Sequence, residues 1–172
     1  MLADKLQEAL NDQLNFEIYS SYIYLSMSSY FESVNLPGAS HWMQIQAREE
    51  MLHAMKFFAY INDRDGRVIL KEIPQPKSEW DSSIAVFENA LEHERLVTSR
   101  ICNLVDIAQT ERDHVTNSML QWFVTEQIEE EKNAKAIIDK LRMAGDNINA
   151  LFMIDAELAQ RVDTTATAAA AQ

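Results

Sequence analysis

Cysteine is almost missing from this chain: Cys102 stands alone among 172 residues. One cysteine excludes an intrachain disulfide framework and any zinc or redox motif built from several thiols. Glycine and proline are also scarce, three of each. That leaves too few turn residues for an all-β chain. Basic residues are outnumbered, with Lys and Arg at 15 against 27 Asp and Glu, and the formal net charge is -12. No Lys or Arg stripe stands out, so neither nucleic acid nor an anionic membrane is an expected partner. No run approaches the roughly 20 apolar residues of a membrane helix. The opening MLADKLQEALNDQL lacks the basic-then-apolar order of a signal peptide. A soluble cytoplasmic protein is expected. What the chain does have is 47% apolar residues, enough for a core in one domain. Its acidity raises the local concentration of cations. Cys102, beside Ile101, Leu104 and Val105, is expected to be a buried thiol.

Periodicity predicts an all-α chain. A first helix spans about 3–33, with Leu6, Leu10, Tyr24 and Phe31 on one stripe and Glu17 in its middle. A second apolar set, Phe16, Tyr19, Ile23 and Tyr30, faces elsewhere and points to subunit contacts. Asn35 to Gly38 breaks the pattern, and a second helix covers about 39–63, with Glu50 centred between Met43 and Phe57. Asp65-Gly66 ends it. The segment to about Ser82 holds Pro74 and Pro76 around an extended run at Val68 to Leu70. Some 16 extended residues reach roughly 50 Å, whereas a helix of this length measures roughly 39 Å. The segment therefore can cross a whole bundle and set helices two and three parallel. A third helix follows the caps Asp81 or Ser82 and runs to about Thr110, with Glu94 between Phe87 and Ile101. A fourth covers about 114–144, closing on Gly145, with Glu130 at the centre of Met119, Phe123, Ile137 and Leu141. A short fifth helix spans about 148–161. Residues 162–172 read as a flexible tail.

Each long helix thus carries one glutamate in the middle of its apolar seam. An unpartnered buried carboxylate is very costly, and the stripes supply no Lys or Arg. Bound cations resolve the conflict. Glu50 and His53 are three apart, about 60° around a helix, and can grip one ion. Oxygen ligands with one imidazole suit iron or manganese better than calcium or magnesium. One Glu from each of two helices, with a Glu-x-x-His from each of the other two, is the arrangement of di-iron and di-manganese carboxylate bundles. Here Glu17 and Glu94 fit the single ligands and Glu50-x-x-His53 one pair. The fourth helix departs, with Gln127-x-x-Glu130 in place of the second pair.

The chain resembles the ferritins over about 3–161. The motifs that carry the resemblance are LNDQLNFEIYSSYIYLSMS around Glu17 and Tyr24, QAREEMLHAMKFF around Glu50 and His53, LEHE ending at Glu94, and LQWFVTEQIEEE around Gln127 and Glu130. The resemblance implies a four-helix bundle with one long crossover and a short fifth helix. It implies a homo-oligomeric shell of 24 subunits that oxidises Fe(II) with O2 or H2O2 and stores Fe(III) mineral. Bacterioferritins, which bind haem, are similar but repeat Glu-x-x-His on the fourth helix. Gln127-x-x-Glu130 looks like the non-haem prokaryotic type, and Met51, at the bacterioferritin haem-ligand position, is expected to be ordinary packing in a subunit interface.

By the same resemblance Glu17, Glu50 and His53 hold one iron, and Glu50, Glu94 and Glu130 the second. Gln127 acts from the edge of the di-iron centre, as a hydrogen-bonding or weak ligand, and Tyr24 is a phenol near the pair that can donate an electron. Glu49, Glu126 and Glu129 match a third iron site on the cavity side. Trp122, next to that region, reads as core. Two other readings stand beside the ferroxidase: a catalytically passive metal-binding bundle, and a haem-binding bacterioferritin-like shell.

Overall fold

The structure, a computed structural model, describes residues 2–163; the part of the expected tail from 164 onward lies outside them. The described residues form five helices and no strand: α1 Asp4–Ser33, α2 Pro37–Asp63, α3 Ser83–Thr110, α4 His114–Ala144 and α5 Ile148–Leu158. α1 packs mainly on α2, and α3 on α4. The two pairs join through α1 and α3, and α5 lies against α2 and α4. The bundle, the crossover and the short fifth helix agree with the sequence reading.

Three helices end alike. Asn35, Asp65 and Arg112 take positive φ of 60°, 59° and 55°. The next amide then bonds back five residues: Leu36 to Phe31 O at 3.0 Å, Gly66 to Ile61 O at 2.9 Å, and Asp113 to Ala108 O at 2.8 Å. This is a Schellman ending, which satisfies carbonyls that the helix would leave open. α2 starts at Pro37, two residues earlier than expected. Proline suits the first helical position because its missing N–H has no partner there anyway. Gly38 belongs inside the helix because the α5 backbone presses on it: a Cβ there would lie 1.8 Å from Asp155 O. Asp155 in turn accepts from the amides of Gly38 and Ala39, at 3.1 and 2.7 Å, and so caps α2 from outside.

The crossover runs along α1. Its extended backbone needs partners, and two asparagine side chains supply them. Asn11 accepts from Ile69 N at 2.7 Å and donates to Arg67 O at 3.0 Å. One turn on, Asn15 accepts from Lys71 N at 2.7 Å and donates to Ile69 O at 2.9 Å. Ser26 then donates to Lys77 O at 2.6 Å, and Trp80 packs on Tyr30 at 5.4 Å. The segment therefore travels from the start of α1 to its end, and α2 and α3 run parallel.

The core is split in two. One cluster joins Met27, Phe31, Trp42, Met43, Phe87 and Ile138 with Leu158 of α5. The other joins Leu6, Leu10, Phe57, Ile61, Ile101 and Phe123. Each fully buried side chain of this size contributes about 1.5–3 kcal/mol. The two clusters carry the packing and leave the middle of the bundle to polar groups. Cys102 departs from expectation: it is exposed. Ile101, Leu104 and Ala108 take the buried stripe of α3, and the residue after Ile101 points about 100° away from it. α5 ends at Leu158, three residues earlier than expected, and Val162 beyond it is exposed.

Candidate metal centre

The four seam glutamates meet between the two apolar clusters. Glu17 is 0% exposed, Glu50 and Glu94 1% each, and Glu130 6%. Glu17, Glu50 and His53 offer ligand atoms that all lie within 4.8 Å of one another. His53 Nδ1 stands 3.6 Å from Glu50 Oε2. Among the described residues, no donor group reaches the buried Glu17 Oε2 or Glu50 Oε1, and the two carboxyls lie close enough to share a proton between them. A buried oxygen without a donor costs its full desolvation. Two such oxygens beside an imidazole are the donor set that a cation would complete.

Glu94 is held differently. Tyr24 Oη donates to its Oε1. Gln127 Nε2 donates to its Oε2 and to its backbone carbonyl, both at 3.1 Å. Gln127 thus serves Glu94 as a donor. Thr98 sits next in line, donating to Glu131 Oε1 at 2.7 Å. Glu130 accepts from Gln46 Nε2.

These carboxyls bind protons more tightly than usual. Burial, then the neighbouring Glu50, pushes Glu17 up to about 8. Burial, then Glu94, pushes Glu130 up to about 8. Glu94 rises only to about 6, because Tyr24 and Gln127 donate to its ionised form against the burial effect. Glu50 is pushed well above the carboxylate range by burial and by Glu94 and Glu130. Without a cation the cluster prefers to hold protons. With one, those protons are displaced.

The outer acidic residues sort unevenly. Glu126, half-buried, comes within ligand reach of His53 and Glu130. Glu49 instead pairs with Arg161. Glu129 is exposed and joins neither ligand cluster found among the described residues. Trp122, read as core from sequence, is 40% exposed and shields one edge of the His53 ring at 5.4 Å, with Lys56 over its face at 4.2 Å. Met51 is 40% exposed on this chain.

Sequence reasoning missed two buried glutamines, Gln13 and Gln46. Each lies four residues before a seam glutamate, Glu17 or Glu50, and so on the same helix face. That spacing was the available signal. His93 was also passed over; it is buried on Phe16 at 5.2 Å with Nε2 2.8 Å from Ser20 Oγ. Burial lowers it to about 4, so it stays neutral.

Comparison with known proteins agrees with the geometry. The ferritin-like domain family matches residues 7–144. A bacterial non-heme ferritin of Bacteroides fragilis is 44% identical over 94% of this chain and 100% of its own length. One from Staphylococcus haemolyticus is 41% identical over 94% and 97%. Among solved structures, the open pore ferritin of the archaeon Archaeoglobus fulgidus superposes with a TM-score of 0.93 at 50% identity, covering 94% of this chain and 99% of that one. A protein core with a four-carboxylate seam, a Glu-x-x-His on α2 and relatives of this identity leads to one assignment: the chain belongs to the ferritin family, of the bacterial non-haem type.

Proposed function

We propose that this protein stores iron and oxidises it on the way in. Two Fe(II) enter the bundle centre as substrates. Glu17, Glu50 and His53 take one, and Glu50, Glu94 and Glu130 the other, with Glu50 between them. The observation that carries this reading is the pair of buried oxygens that no donor group reaches, Glu17 Oε2 and Glu50 Oε1, beside His53. Each iron gives one electron, and O2 with two protons leaves as H2O2; peroxide is the alternative oxidant. Oxidation raises the charge on the metal, so an anionic shell favours the product. Glu126, near His53 and Glu130, offers the product a way outward from the pair, and a third iron site with Glu129 and Glu49 forms there when the metal takes Glu49 from Arg161.

Homo-oligomers of 24 subunits, enclosing Fe(III) mineral, follow as the proposed assembly from the family and from the half-buried second face of α1. The proposed compartment is the cytoplasm; no described helix is long and apolar enough to cross a membrane. Haem is not part of this reading, because α4 carries Gln127-x-x-Glu130.

Anaerobic protein mixed with Fe(II) and then oxygen tests it. The expected result is ferric absorbance rising faster than in buffer, in proportion to protein, with about two irons per chain in the fast phase. Binding without acceleration would favour the passive metal-binding bundle. A Soret band on protein made with haem supplied would favour the haem shell.

A further inference from the structure

Two arginines outside the ligand set reach the centre in the same way. Arg100 Nε donates to Gln13 Oε1 at 2.9 Å, and Gln13 Nε2 donates to Glu17 Oε1 at 2.8 Å. Arg161 Nη1 donates to Gln46 Oε1 at 2.7 Å, and Gln46 Nε2 donates to Glu130 Oε2. The two relays come from different parts of the chain: Arg100 from the middle of α3, Arg161 from just beyond α5. Both glutamines are almost fully buried, at 1% and 0% exposure.

The chemistry of the amide explains the pairing. A carboxamide can present its oxygen or its NH2 to a neighbour. A guanidinium has five donors and no acceptor, so the amide end that faces it is the oxygen. The NH2 then faces the carboxylate, which is the favourable sense. Reversing the amide would set oxygen against carboxylate and N–H against guanidinium, two repulsive contacts in a buried place. The arginine therefore fixes which way the glutamine points.

Each arginine is itself anchored. Arg100 donates to Asp12 O at 3.1 Å and lies 4.2 Å over the Phe16 ring. Arg161 pairs with Glu49, donates to Trp42 O at 3.4 Å and lies 4.4 Å over the Trp42 ring. His41 Nε2 meets the Arg161 carbonyl at 3.0 Å.

We propose that Arg100 and Arg161 are positioning residues of the iron centre. Through Gln13 and Gln46 they pin one oxygen of Glu17 on α1 and one of Glu130 on α4. Glu17 keeps its other oxygen, Oε2, without a donor group and open to metal. This rests on the reading of the centre as the iron-oxidation site. It adds that the segment after α5 is part of the centre's support.

A double-mutant cycle read by Co(II) binding tests it, since Co(II) reports ligand geometry through its visible absorption without turnover. Arg161→Met and Gln46→Leu are each expected to weaken Co(II) binding about 10- to 100-fold and to change the absorption envelope, as loss of a ligand's hydrogen-bond partner does. Combined, they weaken it no further than either alone. Arg161→Met combined with Gln13→Leu multiplies the two losses, because the relays are separate. Arg100→Met and Gln13→Leu repeat the pattern on the other side. Arg161→Lys keeps a donor and recovers part of the affinity. The Arg161–Gln46 cycle is repeated in Glu49→Gln, where the coupling persists.

Every variant is sized by gel filtration. If a Met variant does not assemble, the Lys variant takes its place in the cycle, and coupling to Gln46→Leu still decides. Multiplied losses for Arg161 with Gln46, or an unchanged Co(II) titration in Arg161→Met, would overturn the proposal. The parent reading fails separately: wild-type protein that binds Co(II) through coupled relays but does not speed Fe(II) oxidation loses the ferroxidase assignment and keeps the relays. Wild-type protein that takes up no Co(II) loses both.

Discussion

α2 and α4 each present two polar side chains three residues apart to the same buried centre, and they use them differently. On α2, Glu50 and His53 face each other at 3.6 Å, and Glu50 keeps an oxygen that no donor group reaches. On α4, Gln127 turns its NH2 to Glu94, and Glu130 is already engaged by Gln46. One helix offers open ligands; the other offers one ligand and one brace. The helices also differ at their starts. α4 is capped by its own Asp113, which Arg64 holds at 2.9 Å. α2 is capped by Asp155 of α5. Equal spacing therefore does not give equal roles. An amide has donors to give to a neighbouring carboxylate, whereas a neutral imidazole keeps a lone pair for metal.

The largest expected effect breaks the α2 side. Glu50→Ala should lower the initial Fe(II) oxidation rate by more than about 100-fold, beyond the usual 10- to 100-fold cost of losing a ligand's support; stopped-flow absorbance measures it, and an intact rate would remove Glu50 from the centre. The α4 side should break less. Gln127→Ala frees Glu94 from one donor and should cost about 10-fold. Gln127→Glu, by contrast, adds a carboxylate beside Glu94 and should raise Co(II) uptake at high pH while lowering it at low pH.

The comparison sharpens with pH. Glu17 and Glu130 sit near 8 in the folded protein against 4.5 for the ordinary side chain. The folded form therefore binds more protons between these values. Its stability from these groups is full below 4.5 and is lost as pH rises through about 8. The cation-free protein should melt at progressively lower temperature across that window. Saturating Zn(II) should reverse the trend, since metal binding releases the same protons. A cation-free melting curve that rises toward pH 8 would contradict the shifts. The smallest effect is at the helix starts. Asp155→Ala should cost about 1 kcal/mol in urea unfolding. Asp113→Ala should cost more, because Arg64 loses its carboxylate partner as well.

Much of this was legible in the chain itself. The four long helices, the crossover and the buried placement of Glu17, Glu50, Glu94 and Glu130 follow from where apolar residues recur. Periodicity reports which face of a helix is buried, and it could do so for each helix separately. What it could not report is which side chains from different helices touch. The Arg100 and Arg161 relays and the Asp155 cap all join residues far apart in sequence. Cys102 shows the complementary failure: apolar neighbours in sequence are not neighbours on a helix face. Asn11 and Asn15 look like ordinary polar surface in the sequence; their pairing with the crossover depends on a segment more than fifty residues away.

Anomalous diffraction at the iron edge from crystals soaked in Fe(II) tests the central claim most directly. Two peaks are expected within the bundle of each chain, one against Glu17, Glu50 and His53 and one against Glu50, Glu94 and Glu130, with Gln127 turned to Glu94 and bound to neither. Iron found only at the exposed acidic run around Glu129, with the buried centre empty, would contradict it.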